Sequence, residues 1–268
     1  MTNTLPRRAL SALSSRPPLR TIRETRDRRA YEAAIRRAIA DTDLCTALVA
    51  NGDFPDGWGV GGPERFVEFP WLAAKLRAQR GELVLDAGST LNHDFVLDGV
   101  LPSVEALHVV TLAPEPRSFT DRGVSYLYAD LRDLPLRSDT YDTVVCSSTL
   151  EHVGMDVTGW GGSTEVSSEP QREALRVVAE LRRVAKPTGR VIITVPFGQP
   201  DNLGWLRQFD PKSLYGVVTA LMPAQTTVTV YRQTTRGWRL SSVEEAGDSR
   251  SQPYWASAVA CVEARLAP

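Results

Sequence analysis

The chain has 268 residues, 42% of them hydrophobic, and a formal net charge of −1. That length supplies one sizeable core with an N-terminal appendage, and no run of about 18 apolar residues is present to span a bilayer. A near-neutral surface does not coat a phosphate backbone, which argues against general nucleic-acid binding. The charge is unevenly placed, however. Residues 1–40 hold ten arginines and three acids, a net +7, and the remainder holds 21 basic and 29 acidic residues, a net −8. A basic arm is therefore expected on an acidic body. Cys45, Cys146 and Cys261 are widely spaced and odd in number, which fits reduced thiols in a cytoplasmic protein. Three lysines stand against 28 arginines; on composition alone this skew points to a GC-rich, bacterial genome.

Residues 1–20 contain arginine and serine without acids, as transit peptides do, but lack a secretory apolar run. The alternative is a disordered tail, which Pro17-Pro18 and the low apolar content favour. Over 23–39 the pattern is helical, because Tyr31, Ala34, Ile35 and Ala38 share one face. Residues 51–63 are too rich in glycine and proline for a regular element. Phe54 and Trp58 give this loop something to bury, so it either closes over a ligand or connects the N-terminal helix to the core.

From Gly81 onward strands and helices alternate. Apolar strands are expected at 82–86, 107–111, 124–128 and 141–147, then an amphipathic helix over 171–185 with Leu175, Val178, Ala179, Leu181 and Val184 inward. Lys186-Pro187-Thr188-Gly189 stops it, and 190–195 reads as a buried fifth strand. Two late β-rich runs, 226–233 and 256–264, are expected to form the far edge as a hairpin-like pair. Such alternation with near-continuous apolar strands implies a parallel sheet covered on both faces. The expected domain organisation is a disordered basic tail over 1–22, a helix and glycine-rich loop over 23–64, and an α/β domain over 65–268.

The first strand ends in Asp86-Ala87-Gly88-Ser89-Thr90. Ligands of doubly wound sheets bind beyond the carboxyl ends of strands, and Gly88 permits close backbone approach. Gly-x-Gly-x-x-Gly is absent, so a dinucleotide pyrophosphate lacks its cradle. An acid at the strand end suits a cationic amino-acid ligand instead. Further along stand Asp130-Leu131-Arg132-Asp133-Leu134-Pro135, then Tyr141-Asp142-Thr143-Val144 leading to Leu150-Glu151-His152, then Leu181-Arg182-Arg183-Val184-Ala185-Lys186-Pro187-Thr188-Gly189.

In this order and spacing, these segments resemble the class I S-adenosylmethionine (SAM)-dependent methyltransferases of the large type-11 group, over about residues 65–200. Glu68-Phe69-Pro70-Trp71, Gly198 and Gln208-Phe209-Asp210 more loosely resemble a bacterial subgroup that modifies glycans or natural products. The resemblance implies a Rossmann-like α/β fold with a seven-stranded sheet, helices on both faces and an N-terminal helical extension, with SAM as cofactor. It implies that Asp86, Ala87 and Gly88 hold the methionine portion, that Asp130 and Leu131 face adenine, and that Ser147 and Ser148 line the sulfonium. The family's ribose-binding acid after the second strand is replaced by Thr111, so either Thr111 makes that contact or Glu115 reaches back. Thr90 stands where the family often has glycine.

Methyl transfer needs alignment and, for some acceptors, a base. His152 follows the fourth strand and is a candidate base; the alternative is a hydrogen-bonded supporting histidine. His93 follows the cofactor turn and is either a second candidate or a polar cap on the next helix. His108 lies in an apolar run and reads as a core or edge residue. Residues 154–170, with Trp160-Gly161-Gly162, form an insert over the acceptor side, Phe197 could wall it, and Trp205, Arg207 and Asp210 follow. No Asn-Pro-Pro-Tyr-type segment follows the fourth strand, which counts against methylation of base amines, and no carboxylates have divalent-metal spacing. The expected function is methylation of a small-molecule acceptor, a sugar or natural-product hydroxyl. The alternatives are a non-catalytic protein of the same fold, or an RNA or protein methyltransferase tethered by the arginine-rich arm.

Overall fold

The computed structural model describes residues 18–158, 166–252 and 255–267, with side chains from residue 27 onward. Trp160-Gly161-Gly162 and most of the proposed tail lie outside the described residues. The chain begins with α1 (Pro18–Ala40) and α2 (Thr42–Val49). Asp41 separates them, its carboxylate accepting the Leu44 amide as an N-cap at 3.0 Å. The N-terminal segment thus carries a second helix that the periodicity did not reveal, and the first begins within the stretch expected to be tail.

The next helix, α3 (Arg65–Arg77), is also absent from the sequence reading, because Pro70 lies inside it. Proline cannot donate to the carbonyl of Phe66 four residues back. The Trp58 indole supplies that bond instead, donating to the Phe66 carbonyl at 2.8 Å. An element that looks broken in one dimension is repaired from a neighbouring loop.

Strands β1 (Glu82–Ala87), β2 (Val104–Thr111), β3 (Val124–Tyr128), β4 (Tyr141–Ser147) and β5 (Ala185–Pro196) follow, with α4 (Asp94–Val100) after β1 and α5 (Pro170–Val184) before β5. All five strands are parallel. After β5 come the short pair β6 (Asp201–Asn202) and β7 (Arg207–Gln208), then α6 (Pro211–Ala220), β8 (Pro223–Thr234), β9 (Gly237–Ser241), α7 (Val243–Ala246) and β10 (Ala258–Leu266). The main sheet runs β3-β2-β1-β4-β5-β10-β8-β9. It is the doubly wound sheet expected, with one strand more than seven. The last strand is antiparallel to both β5 and β8. The two late strands do pair, but they are not the far edge. The edge is β9, the true hairpin partner of β8.

Adjacent residues of each central strand enter opposite cores, as the two-residue period requires. Val84, Val109, Val145 and Ile192 pack under α1 to α4, while Leu85, Val110, Val144 and Ile193 pack under α5 and α6. The glycine-rich loop is a connector. Gln233 donates to the carbonyls of Gly59 and Gly62, both at 2.9 Å, and the Trp238 amide donates to the Trp58 carbonyl at 2.8 Å. These bonds pin the loop to β8 and β9. Among the described residues no helix is long and apolar enough to cross a membrane.

Candidate functional site

The order of the sheet reverses between β1 and β4, and the crevice beyond their carboxyl ends is where this architecture places ligands. Asp86 ends β1 fully buried. Its carboxylate accepts the amides of Thr90 at 3.2 Å and Leu91 at 2.7 Å, so it shapes the turn from within. Burial raises its pKa to about 7 despite those two bonds. Thr90, where the family often has glycine, donates through its hydroxyl to the Ser147 carbonyl at 2.5 Å and ties the turn to the end of β4.

Ala87 is buried in the core, and Gly88 meets Thr149. A Cβ on Gly88 would stand 2.0 Å from Thr149 Oγ1, and its φ of +121° is open only to glycine. Gly88→Ala should therefore destabilise the fold by more than about 1 kcal/mol. Adding Thr149→Gly should restore only the steric part, leaving the backbone strain. Equal denaturation midpoints for Gly88→Ala and wild type would reject this account.

A cavity of about 460 Å³ opens beside the turn, between α1, α3 and the segments after β1 and β2. Tyr31, Phe69 and Phe95 supply aromatic walls, Asn92 and His93 polar ones, and Arg28, Arg65, Arg117, Glu32 and Glu115 charged ones. The Glu115 carboxylate accepts the Asn92 side-chain amide at 2.8 Å, and Tyr126 Oη donates to Asn92 Oδ1 at 2.7 Å. Thr111 ends β2 half-buried and is not among the lining residues. His93 makes no capping bond to α4. Its ring stacks on Phe95 and meets Phe69 edge-on, and burial together with Arg65 lowers its pKa. Ser89 Oγ, in the turn itself, is buried without a partner.

Asp130 follows β3. Its carboxylate is bound by the Arg132 guanidinium, at 2.6 Å from Nη2, and accepts the Arg132 amide at 2.8 Å. Leu131 beside it is buried in the core. The other motif residues are also structural. Lys186 pairs with Asp142 at 2.6 Å, and Asp142 accepts the Leu83 amide at 3.0 Å, clamping β4 to β1. His108 contacts Tyr141 Oη at 3.0 Å inside the sheet.

Beyond β4, Ser147 and Ser148 join a buried polar cluster. Ser147 Oγ bonds Thr194 Oγ1 at 2.7 Å, and Ser148 Oγ donates to Glu68 Oε1 at 2.6 Å. Glu68 is fully buried, accepts Thr194 as well, and pairs with Arg65. Spacing along the chain assigns no role to Glu68 or Arg65. The available signal is a pair of opposite charges three residues apart, Arg65 just before the apolar run Phe66–Trp71 and Glu68 within it.

Next along the chain, Glu151 is buried, which raises its pKa to about 8. The His152 ring stacks on Trp205, and His152 Nδ1 lies 2.9 Å from the Trp205 carbonyl. A carbonyl only accepts, so Nδ1 carries the proton and Nε2 keeps the lone pair. Nε2 lies 4.0 Å from Glu151 Oε1. Burial lowers the His152 pKa, partly offset by the Trp205 carbonyl. The two candidate histidines thus occupy different places. His93 lines the cavity beside the turn, and His152 stands at the end of β4 against the segment leading to β7.

Residues 99–193 match the family described as "Methyltransferase domain". The match runs from α4 into β5, about a third of the chain. Over 150 residues the chain is 29% identical to a tRNA (carboxymethyluridine(34)-5-O)-methyltransferase of Arabidopsis thaliana, a match covering 56% of this chain and 33% of that protein. It therefore spans about a third of that relative's length. Among solved structures, the [4+2]-cyclase SpnF aligns with a TM-score of 0.51 at 15% identity, over 84% of this chain and 93% of SpnF. A Burkholderia thailandensis 1,6-didemethyltoxoflavin-N1-methyltransferase aligns with a TM-score of 0.48 at 17% identity, over 100% and 93% of the two chains. The likeness to a cyclase marks the limit of fold as evidence: the chemistry must be argued from the site.

Proposed function

We propose that the chain transfers a methyl group from SAM to a hydroxyl of a small-molecule acceptor, of the sugar or natural-product class. The observation that carries this reading is the tautomer of His152, which leaves Nε2 unprotonated beyond β4, 4.0 Å from Glu151 Oε1. SAM, when bound, supplies an electrophilic methyl on its sulfonium. The cavity beside the β1 turn offers such a cation three aromatic faces and the Glu32 and Glu115 carboxylates, with Arg28, Arg65 and Arg117 also in its lining to pair with the carboxylate of its amino-acid end. Asp86 acts through the turn that it shapes. Asp130 and Leu131 bound the adenine side, where Arg132 keeps the Asp130 carboxylate ionised. Ser147 and Ser148 fix the end of β4. His152 Nε2 takes the hydroxyl proton as the oxygen attacks, and His93 is the second candidate for that task. The three buried cysteines, none in a disulfide, fit a reducing, cytoplasmic setting.

An RNA acceptor is the second reading, favoured by the tRNA-modifying relative and by the basic N-terminal arm. Transfer from methyl-labelled SAM, assayed in parallel on sugar and natural-product fractions and on bulk tRNA, separates the two. Label in tRNA alone would overturn the small-molecule reading. Salt-dependent RNA retention that disappears on deleting residues 1–40 would support the second. In the same preparation, Asp86→Ala should weaken SAM binding by at least about 1–3 kcal/mol, because two turn amides lose their acceptor. Unchanged calorimetric affinity in a folded variant would remove Asp86 from the cofactor site.

A further inference from the structure

After β5 the chain bends back, and β7 brings Arg207 to the acceptor side of the sheet. The guanidinium is fixed from two directions. Its carbon lies 4.5 Å from the centre of the Phe209 ring, and Nη1 donates to Gln171 Oε1. Gln171 cannot simply turn away, because its Nε2 donates to the Ser213 carbonyl at 3.3 Å. What remains is the opposite edge, Nε and Nη2. Both atoms are buried, and neither has a hydrogen-bond partner.

These two donors form one side of the guanidinium fork, the side that matches the two oxygens of a carboxylate. An unpartnered buried donor is costly, and a doubly unpartnered charged edge more so. Glu151 does not fill the gap. Its charge acts on Arg207, but no ion pair joins them, and its own Oε2 is likewise buried without a partner. Two unpaired donors and one unpaired carboxyl oxygen therefore stand on the same side of the sheet, next to His152. Had the site evolved for a neutral alcohol alone, an apolar side chain in place of Arg207 would avoid the desolvation that lowers the guanidinium's pKa to about 10.

We propose that Arg207 is a specificity residue whose Nε–Nη2 edge holds a carboxylate of the acceptor, so that the acceptor is a hydroxy acid rather than a neutral alcohol. This rests on the hydroxyl-methylation reading above and narrows its substrate class. The carboxylate is a handle: it stays ionised and unmodified while the hydroxyl is presented to His152. Arg207 binds and orients, and no proton moves through it.

The test is a titration of the full chain with lactate, and with lactamide as the uncharged analogue. The readout is the Arg207 Nε–H resonance of ¹⁵N-labelled protein, assigned through the backbone. Lactate should move that resonance saturably, and lactamide should not. In Arg207→Lys, which keeps charge but loses the fork, lactate should bind at least about tenfold more weakly. If that variant fails to fold, the wild-type titration decides by itself. An Arg207 resonance unmoved by lactate, moved equally by both probes, or moved by inorganic phosphate but not lactate overturns the proposal. S-adenosylhomocysteine calorimetry on the same sample keeps the two readings apart. Its failure counts against the methyltransferase reading and leaves the Arg207 result standing.

Discussion

His152→Ala should lower turnover by about 10²–10⁴-fold while leaving SAM affinity near the wild-type value. The argument is the tautomer. The bond to the Trp205 carbonyl commits Nδ1 to its proton and leaves Nε2 as the acceptor, and the stacked indole holds the ring plane. The pH dependence has a definite sign. Burial lowers the imidazole pKa, so the base remains unprotonated through neutrality. The acid limb of the rate profile should fall below the usual imidazole range near about pH 6.5, and it should vanish in the variant. Retained turnover would make His152 a supporting residue and direct attention to His93. Collapse of SAM affinity would mean that the ring supports the cofactor pocket instead.

The second large effect is on stability. Glu68→Ala should cost about 3–5 kcal/mol, the scale for breaking a buried ion pair by removing one partner. Glu68 is fully buried and is the shared acceptor of Ser148 and Thr194 as well as the partner of Arg65. Its removal strands a guanidinium and two hydroxyls together. Glu68→Gln keeps an oxygen for the hydroxyls and loses only the charge toward Arg65, so it should cost less, about 1–3 kcal/mol. Urea denaturation with unchanged slopes measures both. A Glu68→Ala variant within about 1 kcal/mol of wild type would show that the cluster contributes little to the fold.

The cluster also shows why the candidate site was only partly legible. Asp86, Gly88, Asp130 and His152 announce themselves because each follows a short apolar strand at a fixed interval. Their partners do not. Asp86 meets amides within its own turn, Asp130 meets Arg132, and Ser148 meets Glu68, eighty residues earlier in the chain. In the sequence Arg207 is only one of the polar and aromatic residues that follow Phe197. Its importance lies in which two of its nitrogens lack partners, and no spacing reveals that.

By itself the sequence determined the parallel core and the place of the acidic, glycine-containing turn at the end of β1. Those features follow from local period and from strand-ending residues, which act within a few positions of one another. Tertiary structure decided the rest. It rescued α3, where Trp58 replaces the hydrogen bond that Pro70 cannot make. It also placed β10 between β5 and β8 rather than at an edge. A strand's neighbours are chosen by which backbone edge lies open and which apolar faces must be covered, and both depend on segments far away in the chain. The same holds for the turn glycine. A glycine after β1 is visible in one dimension, but that Thr149 fills the space above it is a fact of two strand ends meeting.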